Sequence, residues 1–468
     1  MWISAEGSSS TAPLRWVETA SGSDRFELFH RLESAGGGHI LRRHYSGPDE
    51  PIQLVATTNG ISWAELGVPR GIQLADLASS AAASVDLSGD RWVVYGRDVY
   101  SETPGPFQVA RSPQQDWAAD RVWFSDDRGE SWVEMDVELP LRAEPLPPFV
   151  TEESEVVEAV ASGSQVVVVV QFRTELDLEA LVVDRGLQPE GTTLMNWSMT
   201  DDGVALEFTS RHSPGHTRIE RFASFGALGL CAEQPELLSR GDQSVIRVYS
   251  SSGPVAVQQA EHHQWVWNVT GAGAKEGFVL GVQGRRDALL CSQDGQDWTT
   301  EPLGEVAQWA DGRDGRLWAA SPVAGGMGID CISCVGGRTP AALLDGFVGL
   351  TSFSSGPAGL AAAALPADNA DRPSSDGSVS AGEVWLCWSA DGSEWGWQRA
   401  AEAFGIDLHT VFDLELAVGG DFILARVWAM GMSRAAPARR GAGNRLRKDF
   451  GGAFSRLPEP RCFLARVP

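Results

Sequence analysis

The chain has 468 residues, 43% of them hydrophobic, with 18 Trp, 52 Gly and a formal net charge of −25. That charge disfavours broad binding to nucleic acid or anionic membrane, and no apolar run approaches the ~20 residues of a membrane helix. The opening MWISAEGSSSTAP lacks the basic start and apolar core of a secretory signal, so a cytoplasmic protein is expected.

In chain order, short strand-like runs lead into short polar turns. LRWVETA (Leu14 to Ala20) reads as a lone strand. QLVA then runs into TTNGISW from Thr57, VWFS into SDDRGESW from Ser125, and LMNWSM into TDDGVAL from Thr200. Further on, ALLCS runs into SQDGQDW from Ser292, and EVWLCWS into SADGSEW from Ser389. Each turn has Ser or Thr, then Asp or Asn, then Gly, then a large apolar residue. Gly supplies the positive φ of a tight turn, and Asp or Asn bonds the backbone two residues on. The residues carrying the pattern are Asn59, Gly60 and Trp63, then Ser125, Asp127, Gly129 and Trp132. Asp202 and Gly203 follow, then Ser292, Asp294, Gly295 and Trp298, and last Ser389, Asp391, Gly392 and Trp395. Two weaker copies, from Val248 to Val257 and from Asp330 to Leu343, fill the wider gaps.

Four strand-like runs surround each turn. Around the turn at Ser292 they read QWVWNV, GFVLGVQG, DALLCS and DWTTEP. Self-similarity at this period means a repeat fold. Four antiparallel strands per unit with an acidic third-to-fourth turn describe a β-propeller blade, and the turn resembles the Asp-box, or BNR, repeat of sialidase-like propellers. The resemblance implies an all-β chain forming one propeller domain over residues 1–468. It implies nothing specific about activity, because hydrolases, receptors and assembly factors share the turn.

Eight blades are expected, with seven as the alternative: 25–66, 72–138, 156–209, 218–258, 264–303, 305–344, 347–399, and a last blade from Leu408. The last has only three strand-like runs, so Leu14 to Ala20 is expected to supply its fourth and close the ring. Long insertions at 97–120, 137–155, 173–192, 366–382 and 431–460 fall on the face opposite the acidic turns, where binding residues ride on a rigid scaffold.

The resemblance to sialidases also implies an Arg-Ile-Pro motif and a late nucleophilic Tyr. The chain has no Arg-Ile-Pro, and its last Tyr is Tyr249, so no catalytic residues are assigned. Cys331 and Cys334 form a single Cys-x-x-Cys without the second ligand pair that zinc needs, and read as buried thiols. His212, His216, His262 and His263 fall in connections between expected neighbouring blades, where their imidazoles converge if the count of eight holds. Arg439, Arg440, Arg445 and Arg447 sit in SRAAPARRGAGNRLRKD, a basic segment of an acidic chain and a candidate grip for carboxylate-rich or phosphate-rich groups. The preferred reading is a non-enzymatic scaffold that binds a macromolecule, an anionic protein in particular, with no cofactor and no metal. The second reading is a carbohydrate-active enzyme or lectin, with Tyr100, Phe107 and Trp117 stacking on sugar rings. The basic residues are almost all Arg, with only Lys275 and Lys448 as lysines, which suits a GC-rich bacterial genome.

Overall fold

Runs of β-branched and aromatic residues fit a pleated, half-buried surface, and here nearly all of them become strands. The computed structural model describes residues 2–4, 13–19, 32–44, 53–69, 72–73, 85–86, 91–98, 105–107, 119–138, 149–200, 202–210, 218–228, 243–263, 266–274, 277–306, 308–312, 316–366, 379–380, 384–406, 411–430 and 461–467. Seven of its sheets have four or five strands and one has three.

The first sheet joins Leu32–Ala35, His39–His44, Gln53–Thr57 and Ala64–Glu65. The second is built around Trp92–Asp98 and Arg121–Ser125. The third joins Val150–Ser162, Gln165–Leu176, Gln243–Ser251 and Val255–His263. The fourth, fifth and sixth are consecutive antiparallel units over 266–302, 308–345 and 347–399. The seventh joins Val411–Val418, Phe422–Met430 and Arg461–Arg466 to Trp16–Thr19, with Trp16 opposite Ala465 and Thr19 opposite Cys462. Two outer edges carry a short parallel fifth strand: Asp136–Glu138 on the third sheet and Trp2–Ser4 on the fifth.

Each sheet packs on the next through its own apolar cluster. Leu41 and Ala56 of the first meet Val94 and Trp123 of the second. Phe124 of the second meets Val168 and Tyr249 of the third. Val169 of the third meets Leu280 and Leu290 of the fourth. Val279 of the fourth meets Leu317 and Ile332 of the fifth. Met327 and Ile329 of the fifth meet Phe347 and Leu360 of the sixth. Ala363 and Leu386 of the sixth meet Leu416 and Phe463 of the seventh. Phe422 and Leu464 of the seventh meet Leu32 and Ile40 of the first. Successive four-stranded antiparallel sheets packed face to face in this way are β-propeller architecture.

The expected third and fourth blades do not form as separate units. Residues 243–251 pair with 165–176, with Val166 opposite Ser251 and Thr174 opposite Gln243, so one sheet takes two strands from each side of a long insert. The strands Thr192–Thr200 and Gly203–Ser210 leave this sheet and pair with Arg218–Ser224 in the three-stranded sheet. The physical reason is burial: Val167, Val169, Ile246 and Val248 together complete the face that packs on Leu280 and Leu290, and the turns differ accordingly. In the turn at Thr200 the hydroxyl bonds the Gly203 carbonyl, as in a plain two-residue hairpin. In the turn at Ser251 the hydroxyl accepts the Gly253 amide at 3.0 Å, and it is this weaker-looking copy that joins the third and fourth strands of the sheet.

That hydroxyl-to-glycine bond recurs in five other sheets. Thr57 accepts from Gly60 at 2.9 Å, Ser125 from Gly129 at 2.7 Å and Ser292 from Gly295 at 2.8 Å. Ser333 accepts from Gly336 at 2.9 Å and Ser389 from Gly392 at 2.8 Å. The Asn or Asp carboxamide or carboxylate closes the other side of the turn: Asn59 accepts from Ile61 and Ser62, Asp294 from Gln296 and Asp297, and Asp391 from Ser393. Hydrogen bonds from the Ser131 hydroxyl and amide hold the Asp127 carboxyl down at about 2.

The four turn tryptophans are not equally buried. Trp395 is 1% exposed, within the cluster between the fifth and sixth sheets. Trp63, Trp132 and Trp298 are half-buried and only flank their clusters. Trp395→Ala therefore costs about 3–5 kcal/mol in chemical denaturation, the usual range for a buried aromatic. The same change at the other three positions costs clearly less.

The turn at Asp127 gives a pH signature. A carboxylate whose folded value is depressed stabilises the fold above its ordinary value of 3.8 and loses that contribution as pH falls through about 2. Carbon-detected NMR titration of the Asp127 carboxyl is expected to show a midpoint of about 2. A midpoint at the ordinary value would mean that the Ser131 bonds do not form in solution.

Candidate binding face

Strand direction sorts the connections. In the third sheet, Val150–Ser162 and Gln165–Leu176 are joined by a tight turn at one end of the sheet. The insert leaves from Leu176 at the other end and returns at Gln243. The hydroxyl-locked turns lie with the tight turn, on the face opposite the insert.

The insert begins after Leu176. Asp177 caps a short helix, Leu178–Asp184, by accepting the Ala180 amide at 2.9 Å, as an N-cap carboxylate does. Gly186, with φ 65°, takes the left-handed conformation that ends it. The helix covers one face of the three-stranded sheet, and the chain continues into Phe225–Leu228. Leu178, Leu181 and Val182 pack there on Val204, Leu206, Phe208 and Phe225. Phe149, from the connection between the second and third sheets, joins this core, and its carbonyl accepts the Asp177 amide at 2.9 Å. The insert is thus a small cored unit anchored to the propeller face.

Its outer surface is unusual for this chain. Met195 is 64% exposed and Phe222 57%, and the other large exposed hydrophobics among the described residues are all Val or Ile. Phe222 lies opposite Ala205, and the next same-face position pairs Glu220 with Glu207. Arg218 reaches both acids, Glu207 at 2.9 Å and Glu220 at 3.1 Å. The two outer strands, Thr192–Thr200 and Arg218–Ser224, each pair on one side only among the described strands.

Beside the insert, the same end of the third sheet carries a charged cluster. Arg247 lies 4.1 Å from the Phe172 ring centroid and 3.4 Å from Glu261, which is 3.7 Å from His263. Arg173 pairs with Glu155 at 2.9 Å. Burial pushes the Tyr249 hydroxyl up to about 12, with Arg247 opposing, so this phenol is held protonated and is a poor nucleophile. The Phe107 ring meets Tyr249 edge-on at 6.0 Å, and the Phe107 carbonyl accepts the Ser154 hydroxyl at 2.8 Å.

Phe107 is 1% exposed, so it anchors its loop between the second and third sheets and offers no platform to a sugar; Tyr100 and Trp117 lie outside the described residues. His262 and His263 are the last residues of a strand, opposite Ile246 and Val245, and not part of a loop. Neighbouring strand residues point to opposite faces, so these two imidazoles do not converge. His212, His216, Arg439, Arg440, Arg445 and Arg447 lie outside the described residues. Cys331 and Cys334 are half-buried and not both within the strand, since Gly326–Ser333 ends before Cys334. Burial raises the Cys331 thiol, and pushes Cys291 to about 11 and Cys387 to about 12, away from the reactive thiolate. Among the described residues no group of three or more His, Cys, Asp or Glu is placed to hold a metal ion. No helix among them is long and apolar enough to cross a membrane.

Sequence reasoning placed an insertion at 173–192 and missed that it continues through the strands Thr192–Thr200, Gly203–Ser210 and Arg218–Ser224. The legible signal was the turn TDDGVAL, which ends in Leu206 where the locked turns at Thr57, Ser125, Ser292 and Ser389 end in Trp.

The chain matches no family model and no curated protein. Among solved structures it is similar to a protein from a study of two prolyl endopeptidases, at a TM-score of 0.30 and 10% identity, over 86% of this chain and 53% of that one. An acylaminoacyl peptidase gives a TM-score of 0.30 at 10% identity, over 88% and 60%. The Dos1 propeller gives 0.32 at 8% identity, over 88% of this chain and 92% of that one. The chain thus spans little more than half the length of the two peptidases, and at these scores the likenesses say nothing about its activity.

Proposed function

We propose that this chain is a seven-bladed propeller, closed by Trp16–Thr19 on Arg461–Arg466, that binds a protein partner through the face carrying the insert. The bonding of the Ser/Thr, Asp/Asn and Gly positions supports a place in the Asp-box group. The observation that carries the binding role is the insert itself. It has its own core, is fixed to the propeller through Phe149, and presents Met195 and Phe222 to solvent. Aromatic and Met anchors are enriched in interface centres, and Phe222 lies beside the Arg218, Glu207 and Glu220 cluster. The burial of Phe107, one of the aromatic residues the carbohydrate-active reading calls on, favours this scaffold over that reading. Arg439, Arg440, Arg445 and Arg447 add a cationic contact for acidic groups on the partner.

Two measurements test this. Met195→Ser with Phe222→Ser is expected to leave the melting curve unchanged and to abolish partner capture from the native host, because each side chain is already mostly exposed. Capture equal to that of the unmodified protein would remove the insert from the interface. Neutralising the four arginines is expected to weaken binding most at low salt, since the Debye length falls from ~30 Å at 0.01 M to ~8 Å at physiological strength. Equal affinities across that range would leave the basic segment outside the interface.

A further inference from the structure

On the face opposite the insert, the first residue of each second strand meets the third-to-fourth turn of the following sheet. In three seams this position is filled. Gln165 of the third sheet donates from Nε2 to the Asp294 carbonyl in the fourth at 2.8 Å. Cys334, in the turn of the fifth sheet, sets its sulfur where a Cβ on Gly277 of the fourth would lie only 2.6 Å away. The Phe422 ring of the seventh sheet packs on Gly60 of the first, 3.0 Å from where a Cβ would stand.

The seam between the fifth and sixth sheets differs. Arg316 opens the second strand of the fifth sheet, and Asp391 sits in the matching turn of the sixth. Both line a cavity of about 340 Å³, whose wall also includes Trp318, Ser355, Pro357 and Leu360. Arg316 and Asp391 share the cavity without being ion-paired to each other or to another described residue. Asp391 accepts from the Ser393 hydroxyl and amide, at 2.7 and 2.8 Å, which fixes the orientation of its exposed carboxylate.

We infer that this seam binds a small zwitterion, a free amino acid or a dipeptide, with its carboxylate on Arg316 and its ammonium on Asp391. The guanidinium matches a carboxylate with two parallel N–H···O bonds. A ligand carrying one charge satisfies one wall and meets the like charge of the other. Trp318 is 8% and Leu360 2% exposed, so the wall open to a ligand is mainly polar. The volume lies at the small end of the range for ligand sites, about 300–1,000 Å³, which suits one or two residues.

Calorimetric titration of the full chain with free amino acids and dipeptides tests the assignment, alongside their N-acetyl and C-amide forms. The variants are Arg316→Gln and Asp391→Asn. Gln165 shows that Gln fits the strand position, and Asn59 shows that Asn supports the turn. Saturable binding is expected with the unmodified protein. Each blocked ligand and each variant is expected to weaken it about tenfold or more, which corresponds to about 1.4 kcal/mol. The inference is overturned if no zwitterion saturates the protein below about 1 mM, or if binding survives both variants. A response to only one variant marks a singly charged ligand and overturns it as well. Should a variant fail to fold, the blocked ligands on the unmodified protein still decide the matter.

Discussion

The hydrogen bond from a glycine amide to a Ser or Thr hydroxyl, repeated in six turns, is the interaction on which the rest of this structure depends. It draws the third-to-fourth turn of a sheet into a tight loop, and at Gly60, Gly295 and Gly392 the glycine then touches the sheet before it. Gly392, with φ 84°, lies against the Trp318 ring, where a Cβ would stand 2.5 Å away, and Gly60, with φ 72°, lies against Phe422 and Leu464. The missing side chain therefore does two things at once: it permits the left-handed backbone, and it lets adjacent sheets approach. Local turn chemistry and inter-sheet packing are in this way one constraint.

Given that repeat, the molecule has two faces with different rules. The locked turns make one face regular, so a departure there, such as the cavity beside Arg316 and Asp391, stands out against its neighbours. The other face carries no such restraint and tolerates long additions, as surface connections do. The insert after Leu176 exploits that freedom. Its entry and exit are neighbouring antiparallel strands of one sheet, so they are already close together, and a self-cored unit is added without disturbing the strand pairing on either side. Phe149 then ties the unit to the connection between the second and third sheets.

How much of this was legible in the sequence follows from which contacts are local. The hairpins at Asn59, Asp127, Asp294 and Asp391 were readable because every partner in them lies within four residues. The strand character of the flanking runs was readable from composition. Tryptophan burial was readable only in part, since Trp395 reaches the cluster of the preceding sheet while Trp132 donates to Gly67 across a surface connection. The histidines at 262 and 263 were misplaced because a strand end and a loop start look alike without knowledge of the partner strand.

By itself the sequence determined the repeated unit: four strands, a hydroxyl-locked acidic turn, and an all-β architecture assembled from such units. Which strands share a sheet was decided only by the tertiary structure. Residues 165–176 pair with 243–251 across 66 intervening residues, and no local signal reports such a partner. The pairing is selected because Val167 and Val169 of the earlier strand and Ile246 and Val248 of the later one together complete the face buried against Leu280 and Leu290. The strands at 192–210, whose Val204, Leu206 and Phe208 face Leu181 and Phe225, bury their apolar side within the insert. Burial is a sum over surfaces that meet only after folding, and for that reason the count of sheets, the insert and the cavity beside Arg316 and Asp391 belong to the tertiary structure.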